Sequence, residues 1–260
     1  MFDDPLLVRQ GNGMVLTSKA RELIPMLDDL VEHAKRIVQG SDRDNPETFN
    51  RSVNVACSEY AQITFIELLA EIRRVAPNLS VQLHPMPIGG EAQRKLADGT
   101  LDVLVGLHTD SLSNFRITPL YEEPFVCLTR GSPASAAPGS ISFDEFCARP
   151  HLDVSPTGHR VLGSRIDDAV RKMGGARNVA WTISSFVSAP QLVADTDMIS
   201  VVPRKIAQRL VLPENVHVVE LGFPPPMIDV VMYWHNVTQH DPVCIWLRQL
   251  VVQHLGMSAS

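Results

Sequence analysis

The sequence predicts an α/β protein of two lobes that follows one long helix. Three observations support this. The chain has 260 residues, which exceeds the roughly 250 residues at which a single hydrophobic core stops growing. From residue 52 onward, short β-branched runs alternate with helical patterns, as in a mainly parallel sheet covered by helices. Residues 17–39 instead carry a single apolar stripe of helical period.

The composition is typical of a globular protein. Apolar residues make up 45%, charged residues 20%, and the formal net charge is −6, so a broadly basic nucleic-acid-binding surface is not expected. The acidic opening lacks the features of a signal peptide, and no apolar run approaches the roughly 18 residues of a membrane span. The four cysteines are dispersed and form neither a disulfide framework nor a zinc motif. We therefore predict a soluble cytoplasmic protein without a membrane partner.

The long helix carries the pattern of a helix that pairs with another helix. Its apolar residues recur at intervals of three and four, which is the spacing of a dimerisation seam. Thr17 or Ser18 is expected to cap the helix, and Gly40 to end it. Pro25 lies inside the pattern and is expected to kink or shorten the first turns. The residues predicted to mediate dimerisation are Leu23, Leu27, Leu30, Ala34 and Ile37.

Two series of strands and helices follow the long helix. The first predicts, in order, strand, helix, strand, helix and strand over residues 52–56, 63–75, 79–83, 90–98 and 101–105. The second predicts an extended segment and then alternating strands and helices over residues 124–128, 151–154, 161–173, 179–183, 185–194 and 199–202. The chain then closes with two strands and a helix, of which the last strand and the helix are expected to return to the first lobe, over residues 216–221, 228–234 and 242–255.

The sequence contains no motif that indicates catalysis. GxSxG, HExxH and the phosphate-binding loop are absent, as is a complete GxGxxG after a strand. The nine histidines are scattered, and His151 and His159 have no third ligand at metal spacing. Adjacent carboxylates such as Asp28 and Asp29 diverge on a helix or strand. We therefore predict no enzyme activity, no metal and no cofactor; turnover of a bound ligand would favour the enzyme alternative.

Several segments together resemble a known family. They are residues 3–17, Ala76-Pro77-Asn78-Leu79, residues 96–103, Ser184-Ser185-Phe186, residues 199–203, Trp234-His235, Asp241-Pro242 and Trp246-Leu247-Arg248. They are similar to segments of the LysR-type transcriptional regulators, most of all the branch of nodulation regulators and regulators of nitroaromatic and salicylate degradation. The resemblance covers nearly the whole chain. It implies that residues 1–16, with a hairpin turn at Gly11-Asn12-Gly13, are the wing of a winged helix-turn-helix and that residues 17–50 are a linker helix and hinge.

The resemblance also implies a two-lobed effector domain like the type II periplasmic binding proteins. The first lobe would comprise residues 51–122 plus 229–260 and the second residues 123–228, with crossovers near residues 120–124 and 223–229. In open α/β sheets, ligands bind beyond the carboxyl ends of the strands, and the resemblance places a small, aromatic or carboxylated effector there. The candidate effector-binding residues are Ser58, Glu59, Gly89, Leu107, His151, Ser185, Phe186 and Pro203.

Structural roles for some of these residues stay open beside the binding roles. Ser58 is also suited to be a plain helix N-cap. Leu107 and Phe186 are also suited to ordinary core packing.

The family places about forty residues, including the recognition helix, before the opening of this chain. Arg9 in the wing is the remaining candidate for DNA contact, with a solvated side chain as its alternative. We predict a LysR regulator truncated at its N-terminus, through a late start codon, gene truncation or a natural fragment. It would form a homodimer or homotetramer and bind promoter DNA where the missing N-terminus is present. The alternative is a stand-alone effector-binding or dominant-negative dimerisation module without DNA binding.

Overall fold

The computed structural model describes residues 4–11, 13–39, 45–131 and 139–256. The chain opens with an antiparallel hairpin of β1 (Leu7–Gln10) and β2 (Gly13–Leu16). Gly11 turns the chain with a φ of +63°, a conformation that glycine adopts at little cost. The hairpin expected at this glycine pair is therefore confirmed, and Asn12 lies outside the described residues.

The hairpin leads into α1 (Ser18–Gln39), a helix of 22 residues. The Thr17 hydroxyl oxygen accepts a hydrogen bond from the Ala20 amide at 3.1 Å, so Thr17 caps the helix. The helix continues through Pro25, so the predicted shortening does not occur. A lost hydrogen bond near the start of so long a helix removes only one of many backbone bonds.

The first lobe is built around three parallel strands. Its elements are β3 (Ser52–Cys57), α2 (Glu59–Thr64), α3 (Ile66–Val75), β4 (Ser80–His84), α4 (Glu91–Ala97) and β5 (Val103–Leu107). β3 lies between β4 and β5 and pairs with both in parallel. The single helix predicted over residues 63–75 is in fact two helices that meet at Phe65, which is 1% exposed and anchors the junction in the core.

One strand, β6 (Arg116–Arg130), passes through both lobes. Its first part pairs with the last strand of the chain, and its second part pairs with strands of the second lobe. The sequence predicted only residues 124–128 because Pro119 and Pro124 interrupt the strand pattern. A register shift opposite Pro119 accommodates that proline inside the strand.

The second lobe repeats the alternation of strands and helices. Its elements are β7 (Ser140–Ile141), α5 (Phe143–Ala148), β8 (Pro150–Val154), α6 (Val161–Lys172), β9 (Asn178–Ile183), α7 (Ala189–Asp195), β10 (Ile199–Pro203), α8 (Arg204–Ala207) and β11 (Val216–Leu221). β8 lies between β9 and β10 and is parallel to both.

The chain returns through β12 (Met227–Trp234) and ends its described part in α9 (Pro242–Leu255). β12 pairs with β5 and with β6, so the strand order is β4-β3-β5-β12-β6-β10-β8-β9, with β11 beside β6 and β7. The two crossing segments touch where Met227 pairs with Pro124, within both predicted crossover regions. The exact lobe bounds given above stay predictions.

Candidate effector site

A cavity of about 580 Å³ lies between the two lobes, a volume in the range of small-molecule sites. It is formed where strands β3, β4, β5 and β8 end, together with α6 and β12. Its lining includes Ser58, Tyr60, Met86, Ile88, Gly89, Leu107, His108, Thr109, Val154, Ser155, Thr157, His159, Leu162, Arg165, Phe186, Ile228 and Val230. The sequence argument from strand ends therefore predicts the location of this cavity correctly. A shallower depression of about 600 Å³ lies near residues 48–51 and 236–243, away from these strand ends.

The lining is mainly apolar, with a few polar groups. Methionine, isoleucine, leucine, valine and phenylalanine side chains supply most of it. Among the described lining residues there is no aspartate or glutamate, and Arg165 is the single arginine or lysine. A ligand in this cavity would therefore lie on apolar walls and close to one cation.

Ser58 follows β3 and lies at the cavity wall. Its hydroxyl oxygen accepts a hydrogen bond from the Ala61 amide at 3.3 Å, so it also caps α2. The hydroxyl can cap the helix and still offer its proton to a ligand. Contact between Ser58 and an effector stays a prediction. Gly89 and Leu107 likewise line the cavity, after β4 and at the end of β5.

Glu59, Ser185 and Phe186 form a contact between the lobes, which we call the interlobe clasp. The Ser185 hydroxyl donates to Glu59 Oε1 at 2.6 Å, and the Phe186 amide donates to Glu59 Oε2 at 2.9 Å. Glu59 begins α2 in the first lobe, and the other two residues follow β9 in the second. The structure thus brings three predicted site residues together, but Glu59 and Ser185 bond to each other and do not line the cavity.

Phe186 belongs to both the core and the cavity wall. It is 1% exposed and also lines the cavity, so both interpretations offered by the sequence apply.

His151 lies in the interior of the second lobe, which corrects the prediction that it faces the cleft. It is 0% exposed, its Nε2 lies 2.8 Å from the Phe146 carbonyl oxygen, and its ring meets the Phe146 ring edge to face. Burial lowers the pKa of His151 to about 4, so the ring is neutral at physiological pH. Residues 151–154 of β8 are all buried, so no alternation in the sequence shows which of them faces the cleft.

Pro203 is also absent from the cavity wall. It ends β10, is buried, and pairs with Phe125 of β6. The prediction that it lines the cleft is corrected, because β10 ends against the crossing strand and not at the cavity.

Arg165 is the charged cavity residue that the sequence analysis missed; Tyr60, Met86 and Thr157 also line the cavity and were not predicted. It lies on α6, and its Nη2 donates to the His108 carbonyl oxygen at 3.4 Å across the cleft. Arg165 is the fifth residue of α6 and lies beyond the first turn, where a cation would oppose the helix dipole, so no local signal in the sequence identifies it.

A partly buried ion-pair network, with Asp153 and Arg177 at its buried centre, fixes α6 in place. Arg160 Nε lies 2.8 Å from Asp153 Oδ2, and Arg177 Nη2 lies 3.3 Å from Asp153 Oδ1. Asp167 accepts from both arginines, and the Arg177 side chain is 1% exposed. Two carboxylates and two guanidiniums balance in charge, as buried charges require. The network ties α6 to β8, which sets the position of Arg165.

A second polar cluster lies where β6 crosses between the lobes. Glu123 is 1% exposed and accepts a hydrogen bond from the Lys205 amide of α8. The Lys205 ammonium lies 3.4 Å from the centre of the Tyr121 ring, a cation–π contact. Burial raises the pKa of the Glu123 carboxyl.

The first helix exposes the predicted dimerisation stripe. Leu27 is 54% and Leu30 63% exposed; Ala34 is exposed and Leu23 half-buried. The Ile37 side chain lies outside the described residues. Arg9 is exposed on β1. These positions suit the predicted roles in dimerisation and DNA contact, which stay predictions.

The two-lobed fold and the cavity at the strand ends place this chain in the class of small-molecule-binding domains. Residues 46–256 match the family of the LysR substrate binding domain, and the chain belongs to the LysR family of transcriptional regulators. This confirms the family and the fold class predicted from the sequence.

Similar proteins are regulators of this kind. Nodulation protein D 3 of Mesorhizobium japonicum is 25% identical over 254 residues, covering 97% of this chain and 83% of that protein. The HTH-type transcriptional activator NahR of Pseudomonas putida is 26% identical, with coverage of 96% and 82%. The HTH-type transcriptional regulator SyrM of Rhizobium meliloti is 29% identical, with coverage of 95% and 74%.

Solved structures show the same fold. The regulatory domain of MexT from Pseudomonas aeruginosa has a TM-score of 0.69 and 24% identity and covers 80% of this chain and 99% of that chain. CbnR, a LysR family transcriptional regulator, has a TM-score of 0.65 and 17% identity, with coverage of 95% and 84%. Within the described part of the chain, no helix is long and apolar enough to cross a membrane.

Proposed function

We propose that this chain senses a small aromatic or carboxylated effector in the cavity between its lobes and passes the signal to a second copy through α1. The observation that carries the proposal is the mainly apolar cavity of about 580 Å³ at the carboxyl ends of four strands. Its walls come from both lobes, so an effector would contact both. The proposed activity is effector binding and signalling in the cytoplasm, without chemical conversion of the effector.

Effector binding would act on the angle between the lobes. A ligand shifts a conformational equilibrium only by its differential affinity for the two states. An effector that touches Leu107 in one lobe and Phe186 in the other favours the closed state, because opening separates these walls. The interlobe clasp favours the same state in the absence of ligand.

The proposed output is a homodimer or homotetramer on promoter DNA. The exposed apolar stripe of α1 supports self-association, because a helix with such a stripe gains stability from a partner. Where a helix-turn-helix precedes the wing, that motif would read the DNA. Arg9 of the wing would then contact a phosphate or the minor groove.

Ligand-dependent stabilisation tests the effector site. A ligand at a hundredfold excess over its dissociation constant stabilises a fold by about 2.7 kcal/mol. We expect some compound in a panel of small carboxylated and neutral aromatics to raise the melting temperature and to give a binding isotherm in calorimetry. Thr157→Trp should abolish binding because the indole would occupy the cavity. Val211→Trp is the control, because Val211 is 90% exposed and does not line the cavity. Binding that Thr157→Trp leaves intact would exclude this cavity as the site.

A second candidate function is a dominant-negative dimerisation module, which the same exposed stripe supports. It predicts mixed dimers when the chain is co-expressed with a full-length regulator of its family. Exclusively separate species in native mass spectrometry would contradict it.

A further inference from the structure

Arg165 is a cation in a mainly apolar cavity without a carboxylate partner in the described part of the chain. Its contact there is one long hydrogen bond, of 3.4 Å, from its Nη2 to the His108 carbonyl oxygen. The nearby arginines differ. Arg160 and Arg177 are paired with Asp153 and Asp167, and Arg171 of the same helix is paired with Asp168 at 2.7 Å.

Arg165 is half-buried and its hydrogen bond to His108 lies at an exposed position, so its guanidinium loses water only when a ligand fills the cavity. A desolvated guanidinium needs an anionic or strongly polar partner, and the described lining residues supply no carboxylate. A carboxylate on a ligand would meet this need, because it can accept two parallel hydrogen bonds from the guanidinium fork. The cavity therefore favours a ligand with one negative charge.

One group of neutral donors beside the cavity is already occupied by a carboxylate of the chain. The turn after β9 offers the Ser185 hydroxyl and the Phe186 amide, and the Glu59 carboxylate accepts from both. A ligand carboxylate could bind there only by displacing Glu59 from the interlobe clasp. The chain thus fills this anion position itself, whereas Arg165, the single arginine or lysine among the described lining residues, has no carboxylate partner there.

We propose that Arg165 anchors the negatively charged group of the effector and determines specificity for aromatic acids over their neutral analogues. This proposal rests on the proposed effector function and adds the residue that selects the charge. The carboxylate binds the guanidinium beside His108 and His159, and the ring lies against Met86, Leu107 and Phe186. The ligand then replaces the long hydrogen bond between the lobes with a charged one.

Calorimetry on the full chain tests the anchor with matched pairs of probes. The probes are benzoate and 2-naphthoate, each compared with its carboxamide, which has nearly the same shape but no charge. Wild-type protein should bind each acid about tenfold to a hundredfold more tightly than its amide, the value of a charged hydrogen-bonded contact. Arg165→Met should remove this preference, and Arg165→Lys should restore part of it. Arg171→Met is the control and should keep the full preference, since Arg171 is 72% exposed on the solvent side of α6.

The outcomes separate the anchor from the effector site. The proposed role of Arg165 is overturned if the Arg165→Met protein still prefers the acids. It is also overturned if the wild type binds acids and amides equally. Both results leave the cavity as an effector site. Failure of every probe, charged and neutral, to bind the wild type overturns both proposals. Arg165→Met should melt within a few degrees of the wild type, because Arg165 makes a single long hydrogen bond in the described structure; loss of folding would contradict its assignment as a ligand group.

Discussion

At the scale of single residues, the Glu59 carboxylate makes the most informative contact between the lobes. It accepts from a hydroxyl and a backbone amide at 2.6 and 2.9 Å and is half-buried. A second carboxylate, Glu67, also reaches the other lobe, where it meets Arg209 at 2.6 Å, but its side chain is 72% exposed. Charged hydrogen bonds to fixed backbone donors are worth more than exposed ion pairs. The two contacts should therefore differ in their effect on stability.

We expect Glu59→Gln to lower the free energy of unfolding by about 1 kcal/mol, because the amide replaces one acceptor oxygen with a donor. Glu67→Gln, the matched control, should change it by less than about 0.5 kcal/mol. Urea denaturation followed by circular dichroism measures both. A Glu67→Gln protein that loses as much stability as Glu59→Gln would show that the interlobe clasp has no special role.

At the scale of elements, α1 is the segment whose described surface most clearly needs a partner. Leu27 and Leu30 are more than half exposed on one face. We expect Leu27→Glu with Leu30→Glu to shift the protein to monomer in sedimentation velocity, because four carboxylates in a dimer would meet at the seam. Asp28→Ala with Asp29→Ala, placed off the stripe, should leave the assembly unchanged. Retention of the wild-type assembly by the double glutamate variant would place the interface elsewhere.

The strongest patterns in the sequence predicted elements well, and weaker ones failed for physical reasons. β11 and α9 begin and end at the predicted residues, because β-branched alternation and a capped apolar helix are unambiguous signals. The short helices α5 and α8 were missed, because four to six residues are too few to show a helical period. β6 was underestimated because a register shift, which the sequence does not reveal, accommodates a proline in the strand.

The residues of the candidate site were likewise predicted where the sequence pattern was clear and missed where it was not. Ser58, Gly89, Leu107 and Phe186 were predicted from the ends of strands and do line the cavity. His151 was misplaced because a strand buried on both faces carries no directional pattern. Arg165 was missed because its candidate role depends on the lack of a carboxylate partner among the described residues. Only the folded structure shows which side chains lie near it.

At the scale of the whole molecule, the two lobes share strands and a core. β6 pairs with β12 in one part and with β10 and β11 in another, and one cluster of buried apolar residues extends from Phe65 to Phe146. Neither lobe can therefore unfold without removing strand partners from the other. A group buried in one lobe consequently affects the stability of the entire described effector domain.

His151 makes this stability dependent on pH. Its pKa is about 4 in the folded protein, against an ordinary value of 6.5, mainly because burial disfavours the charged ring. Between pH 4 and pH 6.5 the unfolded chain binds a proton at this histidine that the folded chain does not. The stability contributed by the neutral histidine is therefore complete above pH 6.5 and is lost as the pH falls toward 4. The size of the loss is on the order of 3 kcal/mol. Glu123 acts in the opposite direction, because its raised pKa lets the folded state bind a proton first as the pH falls.

The variant His151→Gln isolates the contribution of the histidine. Glutamine keeps a donor for the Phe146 carbonyl but does not titrate, so its stability should fall less steeply than that of the wild type between pH 6.5 and 4.5. His217→Gln is the control, because His217 is exposed on β11 and should leave the slope unchanged. The measurement is the midpoint of urea denaturation at half-unit steps of pH. The slope of this midpoint against pH is compared between the proteins, so a uniform loss of stability in the variant does not affect the comparison. Parallel slopes for wild type and His151→Gln would mean that the folded ring accepts a proton as readily as the unfolded one, in conflict with its burial against Phe146.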